Sequence, residues 1–128
     1  MPLVRIDIPD HLDVGLESLI GGLVYGAMLE CLKVPVDDKF QILSRHSAER
    51  IVRPLSYLGI EYSDDLVVIQ ITLNEGRTTD VKKSFYSKVA DLLSTELNLG
   101  KENILISLVE VNKENWSFGN GEMQYGPA

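Results

Sequence analysis

Pro2 is the residue in this chain with the most unusual chemical potential. Once the initiator Met1 is removed, which a small second residue permits, Pro2 becomes a secondary amine at the start of a strand, a base able to take a proton from carbon. An unperturbed α-amino group titrates at roughly 7.7–8.0, and a nearby cation or desolvation brings it to working pH. The same proline also serves simply as a stiff residue ahead of an edge strand. Arg77, in Asn74-Glu75-Gly76-Arg77-Thr78, stands just before a helix start. There it either offers a planar fork to a substrate carboxylate beside helix N-terminal amides or lies solvated in a loop. Asp38, just before a strand, is a second acidic or turn-forming candidate. Trp116 and Phe118 alternate in a polar tail and point the same way from an extended chain. They either wall an apolar pocket or fasten the tail to its own domain or a neighbouring subunit.

The elements that must position these groups follow from periodicity. Leu3 to Ile8 alternates, with Val4, Ile6 and Ile8 on one face, as a half-buried strand does. From Asp13, a plausible N-cap, the residues Leu16, Ile20, Leu23, Val24, Ala27 and Cys31 recur at helical spacing, and Pro35 is expected to stop that helix. Gly22 and Gly26 on it predict a close approach to a sheet. Phe40 to Leu43 reads as a short strand and Ser44 to Asp65 as an irregular connection. Leu66 to Leu73 is strand-like. Thr78 begins a helix carrying Val81, Phe85, Val89, Leu92 and Leu93, and Ile104 to Val111 is strand again.

The fold class is therefore α+β: tandem βαβ units forming a mixed four-stranded sheet with two helices on one face. The tail from Asn112 is expected to form a C-terminal hairpin or arm. Ile104, Leu105, Ile106, Leu108 and Val109 alternate little, as in a strand buried on both sides, so the helix-free sheet face is expected to pack against another subunit.

The 128 residues are expected to form one domain, 1–128, with a substantial core. With 12 Lys+Arg against 19 Asp+Glu, the net charge of −7 and the lack of a basic run argue against nucleic acid or an anionic membrane as partners. The longest uncharged apolar stretch, Leu19 to Leu29, is far short of the ~20 residues that span a bilayer. The single cysteine, Cys31, lies on the apolar helix stripe, and the chain lacks a signal-like start, which predicts a reducing, cytoplasmic setting. His11 and His46 have no ligand spacing around them, so no metal or other cofactor is expected.

Met1-Pro2-Leu3-Val4, Val34-Pro35 with Asp38 and Phe40-Gln41-Ile42, Leu58-Gly59-Ile60-Glu61 with Ser63-Asp64, Gly76-Arg77-Thr78 and Trp116-Ser117-Phe118-Gly119 together resemble the tautomerase superfamily, in its malonate semialdehyde decarboxylase branch. The likeness runs from about residue 2 to 125. It implies a homotrimer of double βαβ subunits with an N-terminal proline in a pocket at each subunit boundary. It further implies that Pro2 is the catalytic proline, Asp38 a pocket aspartate and Arg77 the second of two carboxylate-binding arginines. Trp116, Phe118 and Tyr125 match the family's aromatic wall.

Glu75 departs from this pattern, standing where the decarboxylase branch has its first arginine. The exchange removes a charge-assisted hydrogen bond worth roughly 1.5–3 kcal/mol and adds repulsion toward a substrate carboxylate, a loss of at least about tenfold. The expected activity is proton transfer on a 2-oxo acid or its enol, a small carboxylate substrate. Decarboxylation or hydration with prolinium as the acid, and a non-catalytic trimeric binding domain, are the alternatives.

Overall fold

Val4, Ile6 and Ile8 are buried on one face of strand β1, Leu3–Pro9, which lies inside a four-stranded sheet of the computed structural model. The structure describes residues 2–127; Met1, on whose removal the chemistry of Pro2 depends, lies outside the described residues. Helix α1, Leu16–Ala27, leads from β1 to β2, Phe40–His46, which pairs parallel to β1 with Leu3 opposite Phe40. A small hairpin follows, β3 (Ser56–Tyr57) and β4 (Ile60–Glu61), and then β5, Val67–Asn74, antiparallel to β1 with Leu3 opposite Thr72. Helix α2, Thr79–Leu97, returns the chain to β6, Ile104–Val111, parallel to β5. The sheet order is β2-β1-β5-β6, mixed as the double βαβ pattern predicts.

Both helices contribute to a single core. Leu16, Ile20, Val24 and Ala27 of α1 and Phe85, Val89 and Leu93 of α2 are buried with Val4, Ile6, Ile8, Val67, Ile69, Ile71 and Leu73 of the sheet. Burying one such large side chain contributes about 1.5–3 kcal/mol. The opposite sheet face has no helix, and on it Phe40, Ile42, Leu105 and Val109 remain 49, 41, 38 and 38% exposed. β6 is thus covered on one side only in the protomer, by way of Ile104, Ile106 and Leu108. On the open face the His46 ring lies 2.6 Å from an Asp7 carboxylate oxygen, while His11 pairs with Asp65 at 2.7 Å.

Local chemistry shifts several boundaries. Asp13 does not cap α1: Gly15, with φ 83°, precedes its first turn, and Asp13 instead accepts the Leu16 N–H through its backbone carbonyl. Arg45 of β2 holds this entry, reaching the Glu17 carboxylate and the carbonyls of Asp10, Leu12 and Asp13. The helix does not run to Pro35. It widens into a π turn at Met28–Leu32, carrying Cys31 against the core, and closes at Lys33 in the left-handed region. Gly22 and Gly26 are exposed and touch no sheet residue. The close approach is at Gly21, where a methyl group would lie 2.5 Å from Gln41 Oε1.

α2 starts as the sequence indicates, with Thr78 Oγ1 accepting the Val81 N–H, a cap worth about 1 kcal/mol. The stretch read as irregular from Ser44 holds the end of β2 and the β3–β4 hairpin, turned by Leu58 and Gly59 at φ 53° and 79°. Two positive φ values match the two-residue turn that follows strand twist. The tail is an arm: after a 3-10 turn at Lys113–Asn115, no strand pair forms among the described residues. Among the described residues no helix is long and apolar enough to cross a membrane.

Candidate active site

β1 and β2 are parallel neighbours, so their first residues lie at the same sheet edge. Pro2, immediately before β1, is buried there, and the C-terminal arm crosses the same edge. Together Pro2, Leu3, Phe40, Trp116, Ser117 and Phe118 enclose a cavity of about 220 Å³. Larger clefts of about 740 and 350 Å³ lie at the β3–β4 hairpin, but neither is bounded by Pro2. Apart from the Ser117 hydroxyl and the Trp116 indole nitrogen, the side chains that wall this cavity are apolar.

The aromatic wall is a connected stack with Phe118 at its centre. Phe118 lies 5.3 Å from the Trp116 ring at an interplanar angle of 15°, and 6.4 Å from Phe40 at 21°. Tyr125 meets it edge-on, at 5.2 Å and 76°. The arm is pinned by Gln124, which accepts the Phe118 N–H at 2.9 Å and donates to the Gly119 carbonyl at 3.0 Å. Gly119, Asn120 and Gly121 all take positive φ, which lets the loop turn tightly enough for that clamp.

Arg77 sits at the other end of the same loop system. Its Nε and Nη2 donate to the Leu32 carbonyl at 3.1 and 2.9 Å, and Nη1 to the Asn74 carbonyl at 3.2 Å. These bonds leave a second N–H on each terminal nitrogen. Burial pushes the guanidinium below its ordinary value, and Glu110 opposes the shift. Glu110 itself is held below the usual carboxylate range, first by a hydrogen bond from Lys82 at 2.5 Å, then by the Lys82 charge, the Gly76 N–H and Arg77, against a burial penalty.

The structure therefore brings Pro2, Trp116, Phe118 and Tyr125 together, while Asp38 and Arg77 do not line the cavity within one protomer. Asp38 is half-buried in the turn before β2, its N–H bonded to the Pro35 carbonyl. Glu75 is exposed, with its N–H on the Val111 carbonyl, and also lies off the cavity.

Sequence reasoning gave no role to Phe40, Leu3, Ser117, Gln124 or Glu110. The signal for the first two was available: in a βαβ unit the parallel strands begin at one edge, so the residues opening β1 and β2 must flank Pro2. Asn74 was also missed, although its side-chain oxygen accepts the Trp116 indole N–H at 2.8 Å. That bond links positions far apart in sequence and leaves no local pattern.

A double βαβ protomer with a buried proline at the edge of its sheet and an aromatic arm across it has the architecture of a tautomerase. The chain belongs to that family: residues 38–119, more than half of its length, match the model described as tautomerase enzyme. It is 35% identical over 125 residues to the probable tautomerase YusQ of Bacillus subtilis (strain 168), covering 97% of this chain and 98% of that one. Among solved structures it is similar to FG41 malonate semialdehyde decarboxylase inhibited by 3-bromopropiolate, at 29% identity and TM-score 0.87, over 96% of this chain and 93% of that one. A fused 4-OT symmetric trimer shares the fold, at 16% identity and TM-score 0.76, over 94% of each chain.

Proposed function

We propose that this tautomerase-family chain transfers a proton between carbon and oxygen of a 2-oxo acid or its enol, with Pro2, freed of Met1, as the proton carrier. The supporting observation is the burial of Pro2 in the cavity walled by Leu3, Phe40, Trp116, Ser117 and Phe118. An amine enclosed by apolar rings is held neutral more readily than one in water, so the base role is the better fit. Substrate carboxylate would be met by the unspent N–H groups of Arg77, with Asp38 as polar support and Tyr125 closing the wall through Phe118. Neither Arg77 nor Asp38 lines the protomer's cavity, so the complete site requires assembly. A homotrimer covering the open face of β2 and β6 would supply it.

The experiment is turnover of an enol such as phenylenolpyruvate. Pro2→Ala is expected to lose about 10²–10⁴ in kcat while keeping its fold, the usual contribution of a positioned proton-transfer group. Retention of Met1 should have the same effect, since it turns the amine into an amide. Equal rates for Pro2→Ala and the wild type would exclude the assignment and leave a binding domain.

The similarity to FG41 malonate semialdehyde decarboxylase supports a second reading, decarboxylation or hydration of a 3-carbon acid with prolinium as the acid. The pH-rate profile separates the two. Activity of a neutral base rises with pH through the Pro2 pKa, and activity of prolinium falls.

A further inference from the structure

Asn74, the last residue of β5, is bonded to two functional parts of the molecule at once. Its backbone carbonyl accepts Nη1 of Arg77 at 3.2 Å, and its side-chain oxygen accepts the indole N–H of Trp116 at 2.8 Å. An indole N–H is a donor only, and leaving it unpaired where it is buried costs about 1–3 kcal/mol. Trp116 therefore turns its nitrogen edge toward Asn74 and its face toward Phe118, with which it lines the cavity around Pro2. Because the register puts Thr72 opposite Leu3, Asn74 lies at the same sheet edge as Pro2.

We propose that Asn74 is a positioning residue of the Pro2 site: its side-chain oxygen sets the plane of Trp116 and thereby the aromatic wall against which substrate is held. The inference rests on the proton-transfer reading above. Its backbone carbonyl also fixes Arg77, but that bond survives any side-chain exchange, so substitutions at Asn74 isolate the link to Trp116.

The chain contains one tryptophan, so its emission reports this bond directly. In the full-length protein, Asn74→Leu removes the acceptor at similar volume and Asn74→Asp keeps one. Asn74→Leu is expected to shift Trp116 emission and lower kcat/KM for phenylenolpyruvate about tenfold, mainly through KM, the size of one neutral hydrogen bond. Asn74→Asp is expected to restore the emission and most of kcat/KM. Trp116→Phe keeps a stacking ring without the N–H, so in that background Asn74→Leu should have no further effect.

Unchanged emission in Asn74→Leu, unchanged kcat/KM despite shifted emission, or additive losses in the double variant would each overturn the proposal. Should Asn74→Leu fail to fold, Asn74→Ser in the two backgrounds provides the same cycle. Failure of the proton-transfer reading is recognised separately, by a wild type no faster than Pro2→Ala. In that case the catalytic role of Asn74 falls with it, while the emission still shows whether the bond exists.

Discussion

Arg77 and Leu32 are joined by a forked contact in which both Nε and Nη2 of the guanidinium donate to a single carbonyl oxygen, at 3.1 and 2.9 Å. Leu32 is the last residue of the π turn that ends α1, where carbonyls lack intrahelical partners and a cation is favoured. The residue proposed to hold a substrate carboxylate is therefore also the cap of a core helix.

Replacing Arg77 should consequently damage stability and activity together. Arg77→Ala deprives the Leu32 and Asn74 carbonyls of charge-assisted donors, and an expected loss of about 2 kcal/mol lowers Tm by several degrees. Arg77→Lys keeps the charge but not the fork and should recover only part of that loss. Thermal unfolding at fixed protein concentration, paired with kcat/KM corrected for folded fraction, separates the two effects. Unchanged stability in Arg77→Ala would show that the fork is not a cap.

Phe118 touches Phe40, Trp116 and Tyr125, and no other ring of the wall makes three such contacts. Each aromatic pair is worth about 0.5–1.5 kcal/mol beyond buried area. Phe118→Ala should raise KM about tenfold or more, whereas Phe118→Leu, which refills part of the space, should raise it less. Because three such pairs are lost, Phe118→Ala is also expected to lower Tm by several degrees, and Phe118→Leu by less. Steady-state kinetics beside a thermal melt provides the check.

The difference between what was and was not legible follows from the range of the interactions. β1, α2 and β6 announce themselves through Val4-Ile6-Ile8, through Thr78 followed by Val81, Phe85 and Val89, and through the apolar run at 104–109, because burial repeats at the period of each element. Trp116 and Phe118 stand out by their spacing and Pro2 by its place in the chain, and the fold brings all three to one cavity. The β3–β4 hairpin was missed because two-residue strands are too short to show alternation. The entry to α1 was misassigned because Asp13 is a good capping residue type, yet Arg45 from β2 claims its carbonyl and Gly15 makes the turn. Gly21 rather than Gly22 or Gly26 meets the sheet because helix rotation is set by tertiary packing. Asn74, Gln124 and Glu110 act through a few long-range or loop contacts that leave no periodic trace.

The Glu110–Lys82 pair predicts a particular acid sensitivity. The Glu110 carboxyl is held below its ordinary value, chiefly by the Lys82 hydrogen bond, so the folded state favours its ionised form. That contribution to stability is fully present above the carboxylate's ordinary value of 4.5 and is lost as pH falls through the lower folded value. Glu110→Gln should thus be less stable than wild type near neutrality and equal to it in strong acid. The gap should also narrow in high salt, as for any solvent-facing pair. Melting curves of both proteins between neutral pH and about pH 2 would test it, and a gap that grows on acidification would contradict the assignment.

The open sheet face provides the test of assembly. Ile42 on β2 and Val109 on β6 are substantially exposed in the protomer, on the edge strands of a face that no helix covers. A charge placed at either position costs the isolated protomer little, since exposed substitutions generally change stability by no more than about 0.5 kcal/mol. If a trimer buries that face, the same charge must be desolvated without a partner, and association weakens by several kcal/mol. Ile42→Asp and Val109→Asp are therefore expected to sediment as monomers at concentrations where wild type is trimeric, with native circular dichroism and greatly reduced turnover. Loss of turnover is the outcome expected on the proposed reading, in which Arg77 and Asp38, which do not line the Pro2 cavity of their own protomer, act in the assembled site. A wild type that sediments as a monomer while fully active would refute both the trimer and the need for one.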